Sequence, residues 1–288
     1  MTATSMGRIA GRRTAALTRA AGRDPALTVV ATLCALIVLV AVCAPLLAPD
    51  DPTQTDILHQ NLSASGAHLL GTDALGRDIL SRLIYGARLS LLGPALVVSS
   101  AVGIGTALAI ASAWIGGPFD RVVARILDVL FAFPAILLAI VAVAIFGEGL
   151  AAPVVALAIA YIPYVARVVR SVALRERHLA YVDAGRSLGF SGFKICVRHI
   201  LPNVGLMIVA QATIAFASAI MDLAGISFIG LGVQPPASDW GLMVSDGASA
   251  LLNDHPVETL SAGGAIVITV VLFNLLGERL STVSEVRR

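Results

Sequence analysis

The chain has 288 residues, 57% hydrophobic and 13% charged, with a formal net charge of +2 and a mean hydropathy of +0.88. Soluble globular chains run about 45–50% apolar and about 25% charged, so this balance excludes a disordered chain and points into lipid. The small net charge gives no argument for nucleic acid as a partner, and Cys34, Cys43 and Cys196 supply neither a disulfide framework nor a Cys-x-x-Cys metal pair.

Residues 1–25 carry Arg8, Arg12, Arg13, Arg19 and Arg23 against the single acid Asp24. That pattern predicts a retained cytosolic segment lying on an anionic membrane face. A first span is expected over residues 26–47, about 33 Å of helix, closed by Pro45 and Pro49. An outer polar stretch, about 48–88, follows, with a helix expected from Asp73 onward. The second span covers about 89–115, where Gly116, Gly117 and Pro118 break it. Phe119–Asp128 reads as a short polar link, and the third span runs over about 129–146 with Pro134 inside it.

Gly147, Glu148 and Gly149 make a turn into a fourth span, about 150–169. A basic stretch occupies about 170–203. The fifth span starts at Val204 and fades near Gly230. A Pro-, Gly- and Asp-rich outer segment, about 232–257, leads to a sixth span over about 260–276. The expected organisation is therefore all-α: a six-span unit over 26–281 with a short tail at 282–288. With the N-terminus inside, Arg77, Arg82 and Arg88 alone among the 20 basic residues fall outside, which leaves 17 inside. So strong a positive-inside bias places both termini in the cytosol.

Enzyme signatures are missing. No Gly-x-x-x-x-Gly-Lys-Ser/Thr loop is present, and Lys194 is the chain's one lysine. The Gly-x-Ser-x-Gly string at Gly185–Gly189 lacks the strand that a nucleophile elbow needs. The five histidines are scattered over both sides. No catalytic residue and no metal ligand set is expected, and Asp222 is the one clear ionisable group within a span.

The basic stretch carries the most information. Tyr181–Leu188 reads as a short helix with apolar residues at Tyr181, Ala184 and Leu188. Gly189 ends it, Ser191 and Gly192 allow a turn, and a second amphipathic helix runs to Leu201, where Pro202 opens the next span. Two short angled helices at the cytosolic face suit docking onto a partner protein, or lie on lipid.

This stretch resembles the coupling loop of ABC-transporter permease subunits. Asp183-Ala184-Gly185, three residues, Gly189, nine residues, then His199-Ile200-Leu201-Pro202 match that family's spacing throughout. Asp183, Gly185 and His199 stand where the family pattern has Glu, Ala and Ile. Leu70–Asp78 with Leu80–Arg88, Arg125–Asp128 with Phe131–Pro134, and Ile226–Pro236 with Asp239-Trp240-Gly241 resemble further segments of the C-type permease of dipeptide and oligopeptide importers.

The resemblance implies a type I importer permease in a bacterial plasma membrane, multi-pass, with a second homologous permease, two ATPase subunits and an extracytoplasmic solute-binding protein. It implies that ATP and Mg are held by the ATPases and that this chain carries no cofactor. Peptides are the implied cargo, with nickel chelates or other small solutes as the alternative on the same scaffold. A stand-alone secondary transporter is the rival class, and the sequence shows none of the matched broken helices it needs.

Residue roles follow from the same resemblance. Asp183 would meet a basic group or helix end of an ATPase, and Gly185 and Gly189 would permit close approach and the turn. Asp73, Arg77 and Asp78 read either as binding-protein contacts or as a capped helix start with Asp73 in its first turn. Gln234, Pro235 and Trp240 read either as an outer gate or as a rigid turn with Trp240 at the aromatic belt. Asp222 reads as facing a hydrated path or reaching the outer interface.

Overall fold

Apolar runs long enough to cross a bilayer dominate the molecule, and they fold as helices because backbone groups in lipid must be satisfied within their own segment. The computed structural model describes residues 25–286. The basic segment predicted before them, and Arg287 and Arg288 of the tail, lie outside the described residues. Among the described residues the only β pairing is an isolated bridge between Thr72 and Asp78.

Helix α1 (Pro25–Val42) continues into a short α2 (Ala44–Leu47). Val29, Leu36, Leu39 and Val42 of α1 remain exposed, as lipid-facing side chains do. Helix α3 (Ile79–Ile115) has 37 residues and starts ten before the predicted span. Its start is fixed by Asp78, whose carboxylate accepts the Ser81 backbone N–H at 2.7 Å. The helix expected from Asp73 therefore begins at Ile79 instead, and Asp73 lies in the preceding loop.

The predicted polar link is also helical. Helix α4 (Gly117–Phe131) is strongly amphipathic, and α5 (Ala135–Phe146) follows at a bend of 78°. Pro134 has no N–H to give and itself leaves the helical region, at φ −58° and ψ 126°, which breaks the span here. The acids of α4 are answered by the next long helix, α6 (Ala151–Arg177). Arg170 grips Asp120 with two hydrogen bonds, at 2.6 and 2.5 Å, and Arg167 meets Asp128 at 2.6 Å. Paired in this way, a polar segment can lie against an apolar bundle.

Helices α7 (Ala180–Ser187) and α8 (Gly192–Ile195) precede a π-turn at Cys196–Ile200 that runs directly into α9 (Leu201–Phe228). Short helices α10 (Trp240–Asp246) and α11 (Ala248–Leu251) lead to α12 (Val257–Val286). Among the described residues five helices are long and apolar enough to cross a membrane, and the bent α4–α5 pair makes a sixth crossing if it counts as one span.

The core lies where α3 packs along α6 and α9 along α12. Small residues let the backbones close in: Ala101, Gly105 and Ala109 of α3 are met by Val165 and Ala166 of α6. A Cβ on Gly105 would stand 3.1 Å from the Ile162 carbonyl oxygen. This is the usual means of association between apolar helices, where burial from water contributes nothing.

Candidate functional site

At the end of the bundle where α3 and α6 finish, α7 projects as a short lip. Its start is favoured by Asp183 in the first turn, opposite the partial positive charge of the free N–H groups. Its end is a Schellman motif: Phe190 N–H donates to the Gly185 carbonyl at 3.0 Å and Gly189 N–H to that of Arg186 at 2.9 Å. The motif requires a left-handed residue, and Gly189 supplies it at φ +73°. Nothing lies within 4 Å of where a Gly189 Cβ would point, so this corner is bare backbone facing open space.

The predicted apolar stripe divides. Val182 and Gly185 face inward, against Val172, Ala173, Ile195 and Ile200. Tyr181 also turns in: its hydroxyl donates to Glu176 at 2.6 Å, and burial together with that carboxylate pushes its pKa up to about 12. Ala184 and Leu188 point outward with Asp183, and Leu188 is 72% exposed. Arg186, 3.3 Å from Asp183, also stacks over the Trp114 ring at the end of α3.

The second amphipathic helix predicted up to Leu201 is shorter than expected, and no break separates it from the next span. Ser191 caps α8 by accepting the Lys194 N–H at 3.3 Å. After the π-turn, Leu201 N–H donates to the Cys196 carbonyl, and Pro202, which has no N–H, sits in the first turn of α9. Gly192 is there for room more than for a turn, since a Cβ would collide with the Trp114 indole. The His199 ring stacks on Phe190 at 6.1 Å and 9°, and lies 6.4 Å from the Tyr181 ring. Arg177 donates to the Ala113 carbonyl at 2.7 Å. Loop, α3 and α6 are thus fastened into one body, and Trp114, which fastens two of them, was not singled out from the sequence.

At the opposite end Asp73, Arg77 and Asp78 are buried. Asp73 holds Arg77 at 2.6 Å and Arg82 at 2.5 Å. Arg82, fully buried, also pairs with Asp246 at 2.8 Å and with Glu258, so it joins the outer loop, α10 and the start of α12. Asp78 caps α3 and pairs with His68 at 3.0 Å. In the sequence Arg82 is one of three outer arginines with nothing to mark it, because the acids that answer it lie up to 176 residues away.

Trp240 is buried. Its indole N–H donates to the Leu83 carbonyl at 2.9 Å and its backbone N–H to Ser90 Oγ at 2.9 Å. Beside it Asp239 caps α10 and accepts from Ser227 at 2.7 Å, while burial pushes its carboxyl above the usual range. Gln234 braces its turn through the carbonyls of Gly230 and Gly232, and Pro235 is exposed. Asp222, late in α9, accepts a hydrogen bond from the Tyr161 hydroxyl of α6 at 2.9 Å.

Residues 101–288 match the family described as "Binding-protein-dependent transport system inner membrane component". The chain is 38% identical to the dipeptide transport system permease protein DppC of Alkalihalophilus pseudofirmus, over 84% of this chain and 80% of that one. It is 42% identical to the glutathione transport system permease protein GsiD of Pectobacterium atrosepticum, over 85% and 81%. An inward-facing structure of the MetNI methionine ABC transporter matches with a TM-score of 0.58 at 20% identity, covering 72% of this chain and 97% of that one, which shows the shared fold. The chain therefore belongs to the binding-protein-dependent transport system inner membrane component family, as a multi-pass permease subunit of an ABC transporter.

Proposed function

We propose that this chain forms half of the translocation path of a peptide importer and takes its power stroke through α7. The basic end, with Arg175, Arg177, Arg186, Lys194 and Arg198, faces the cytosol, where the positive-inside rule puts it. A second, homologous permease completes the path. Two ATPase subunits hold ATP and Mg below it, and a solute-binding protein delivers cargo above. Peptide is the cargo class because the relatives just described are named for dipeptide and glutathione transport.

One observation carries the coupling assignment: α7 presents Asp183, Ala184, Leu188 and the bare backbone at Gly189, while its other face is packed on the protein's own helices. An ATPase groove that engages this lip would move it as a rigid body. The π-turn passes that motion straight into α9, and Arg177 and Trp114 pass it into α6 and α3. Domain closure below thereby becomes helix tilt above.

The test is reconstitution of the complete complex in proteoliposomes with ATP inside and a labelled dipeptide outside. ATP-dependent accumulation supports the reading. Accumulation of a nickel chelate in place of any peptide would replace the cargo class, and accumulation without ATP would overturn the importer assignment.

A further inference from the structure

The bend in the third span opens a cavity of about 300 Å³. Phe131, Phe133, Tyr161, Tyr164, Ser218 and Asp222 line it. Asp222 is the one charged residue on its wall. The acids of α4 each have an arginine, whereas among the described residues no Lys, Arg or His pairs with Asp222. Among the described residues its one hydrogen-bond partner is the Tyr161 hydroxyl. An ionised group within a span is expensive unless it faces water or a counter-charge, and it marks a functional position by default. A broken helix within a span is tolerated where it lines a protein cavity, and here the break and the carboxylate meet in the same cavity.

The rest of the wall is aromatic. Tyr161 and Tyr164 stand edge to face at 6.5 Å, and Phe131 and Phe133 are left about half exposed by the break. Arg167, already neutralised by Asp128, stacks over Phe131 at 4.3 Å, so one of these rings already takes a cation on its face. Ring faces beside a carboxylate are the chemistry that recognises an ammonium group. A cavity of this size admits the head of a small molecule and not a whole oligopeptide. We infer that the Asp222 cavity is a way-station for a primary ammonium, the free amino terminus of the peptide as it passes; this rests on the peptide reading above.

The test uses the assembled transporter with Phe133→Cys, reading labelling above that of the parent chain. Two thiol reagents of opposite charge are compared, trimethylammonioethyl and sulfonatoethyl methanethiosulfonate. The cationic reagent should be favoured, and adding Asp222→Asn should lower the cation-to-anion rate ratio at least fivefold. A free-amino dipeptide should slow cationic labelling, and its N-acetylated form should not. In uptake assays Asp222→Asn should reduce dipeptide transport at least tenfold with binding-protein-stimulated ATP hydrolysis retained, and Asp222→Glu should restore part of it.

A rate ratio indifferent to residue 222 overturns the proposal. So does an introduced thiol, in the Phe133→Cys variant, that is labelled in the separated subunit and closed in the complex, since a partner side chain would then fill the cavity. If the wild-type complex moves no peptide, the cargo assignment fails, while the reagent ratio still reports on the site.

Discussion

The N–H of Phe190 reaches back to the carbonyl of Gly185 at 3.0 Å, across a corner that Gly189 turns with φ +73°. That bond fixes where α7 stops and leaves the corner without a side chain. Phe190 then stacks on His199, so the same corner is locked onto the start of α9. The structure thereby separates two demands on Gly189, a backbone conformation and an open approach, and the two respond to different substitutions.

Asparagine tolerates the left-handed region, whereas a β-branched residue does not. Gly189→Asn should fold within about 0.5 kcal/mol of the parent, and Gly189→Val should lose about 1–2 kcal/mol. Both fill the open corner, so both should cut peptide transported per ATP hydrolysed at least tenfold. Thermal unfolding of the purified complex and paired uptake and ATPase assays check this. Normal coupling in the Asn variant would mean that glycine serves the turn alone.

Gly185 and Gly192 should diverge. A Cβ on Gly185 would meet Ile195 and Phe190 at an ordinary 3.6 Å. Gly185→Ala should therefore stabilise the loop by about 0.5–1 kcal/mol through helix propensity. Gly192→Ala drives a methyl into Trp114 and should lose about 1–3 kcal/mol. Melting of the two variants in detergent distinguishes them by sign.

Arg82→Met should be among the most damaging single changes in the chain. It leaves Glu258 without a cation and Asp73 and Asp246 with Arg77 alone, at a cost of about 3–5 kcal/mol. Arg82→Lys should recover only part, because one ammonium cannot reproduce the guanidinium's several directed bonds. Membrane abundance and thermal inactivation of the variants report the loss.

Asp239 supplies a pH dependence of definite sign. Burial raises its carboxyl pKa in the folded state, so folding favours its protonated form. Its contribution to stability is then fully present below the ordinary carboxylate value and lost as pH rises through the raised one. Asp239→Asn keeps a cap acceptor for Leu242 and should remove that leg of the pH profile, with equal or higher stability at neutral pH. Thermal melts from pH 4 to 8 on both proteins test it.

The long helices were legible because their apolar runs need no distant partner. Helix α4 reads as a link in the sequence because the partners of its acids, Arg167 and Arg170, lie 39 and 50 residues on. The same long-range pairing hid Arg82. Pro134 reads in the sequence as a tolerated proline, yet the span breaks there because Pro134 leaves the helical region at ψ 126°. Around α7 the spacing locates the helix and Gly189, but its apolar residues do not share one face, since Tyr181 turns inward to Glu176. His199, a departure from the family's Ile, keeps its place by stacking on Phe190 in place of aliphatic packing.

The central claim is that the outward face of α7 sits on an ATPase subunit. Site-directed cross-linking from Leu188, exchanged for a photoreactive residue in the assembled transporter, tests it most directly. The account predicts a covalent adduct to an ATPase subunit that forms from position 188 and not from buried Val182, with a yield that changes on adding ATP. Adducts to lipid alone, or equal yields from 188 and 182, would contradict it.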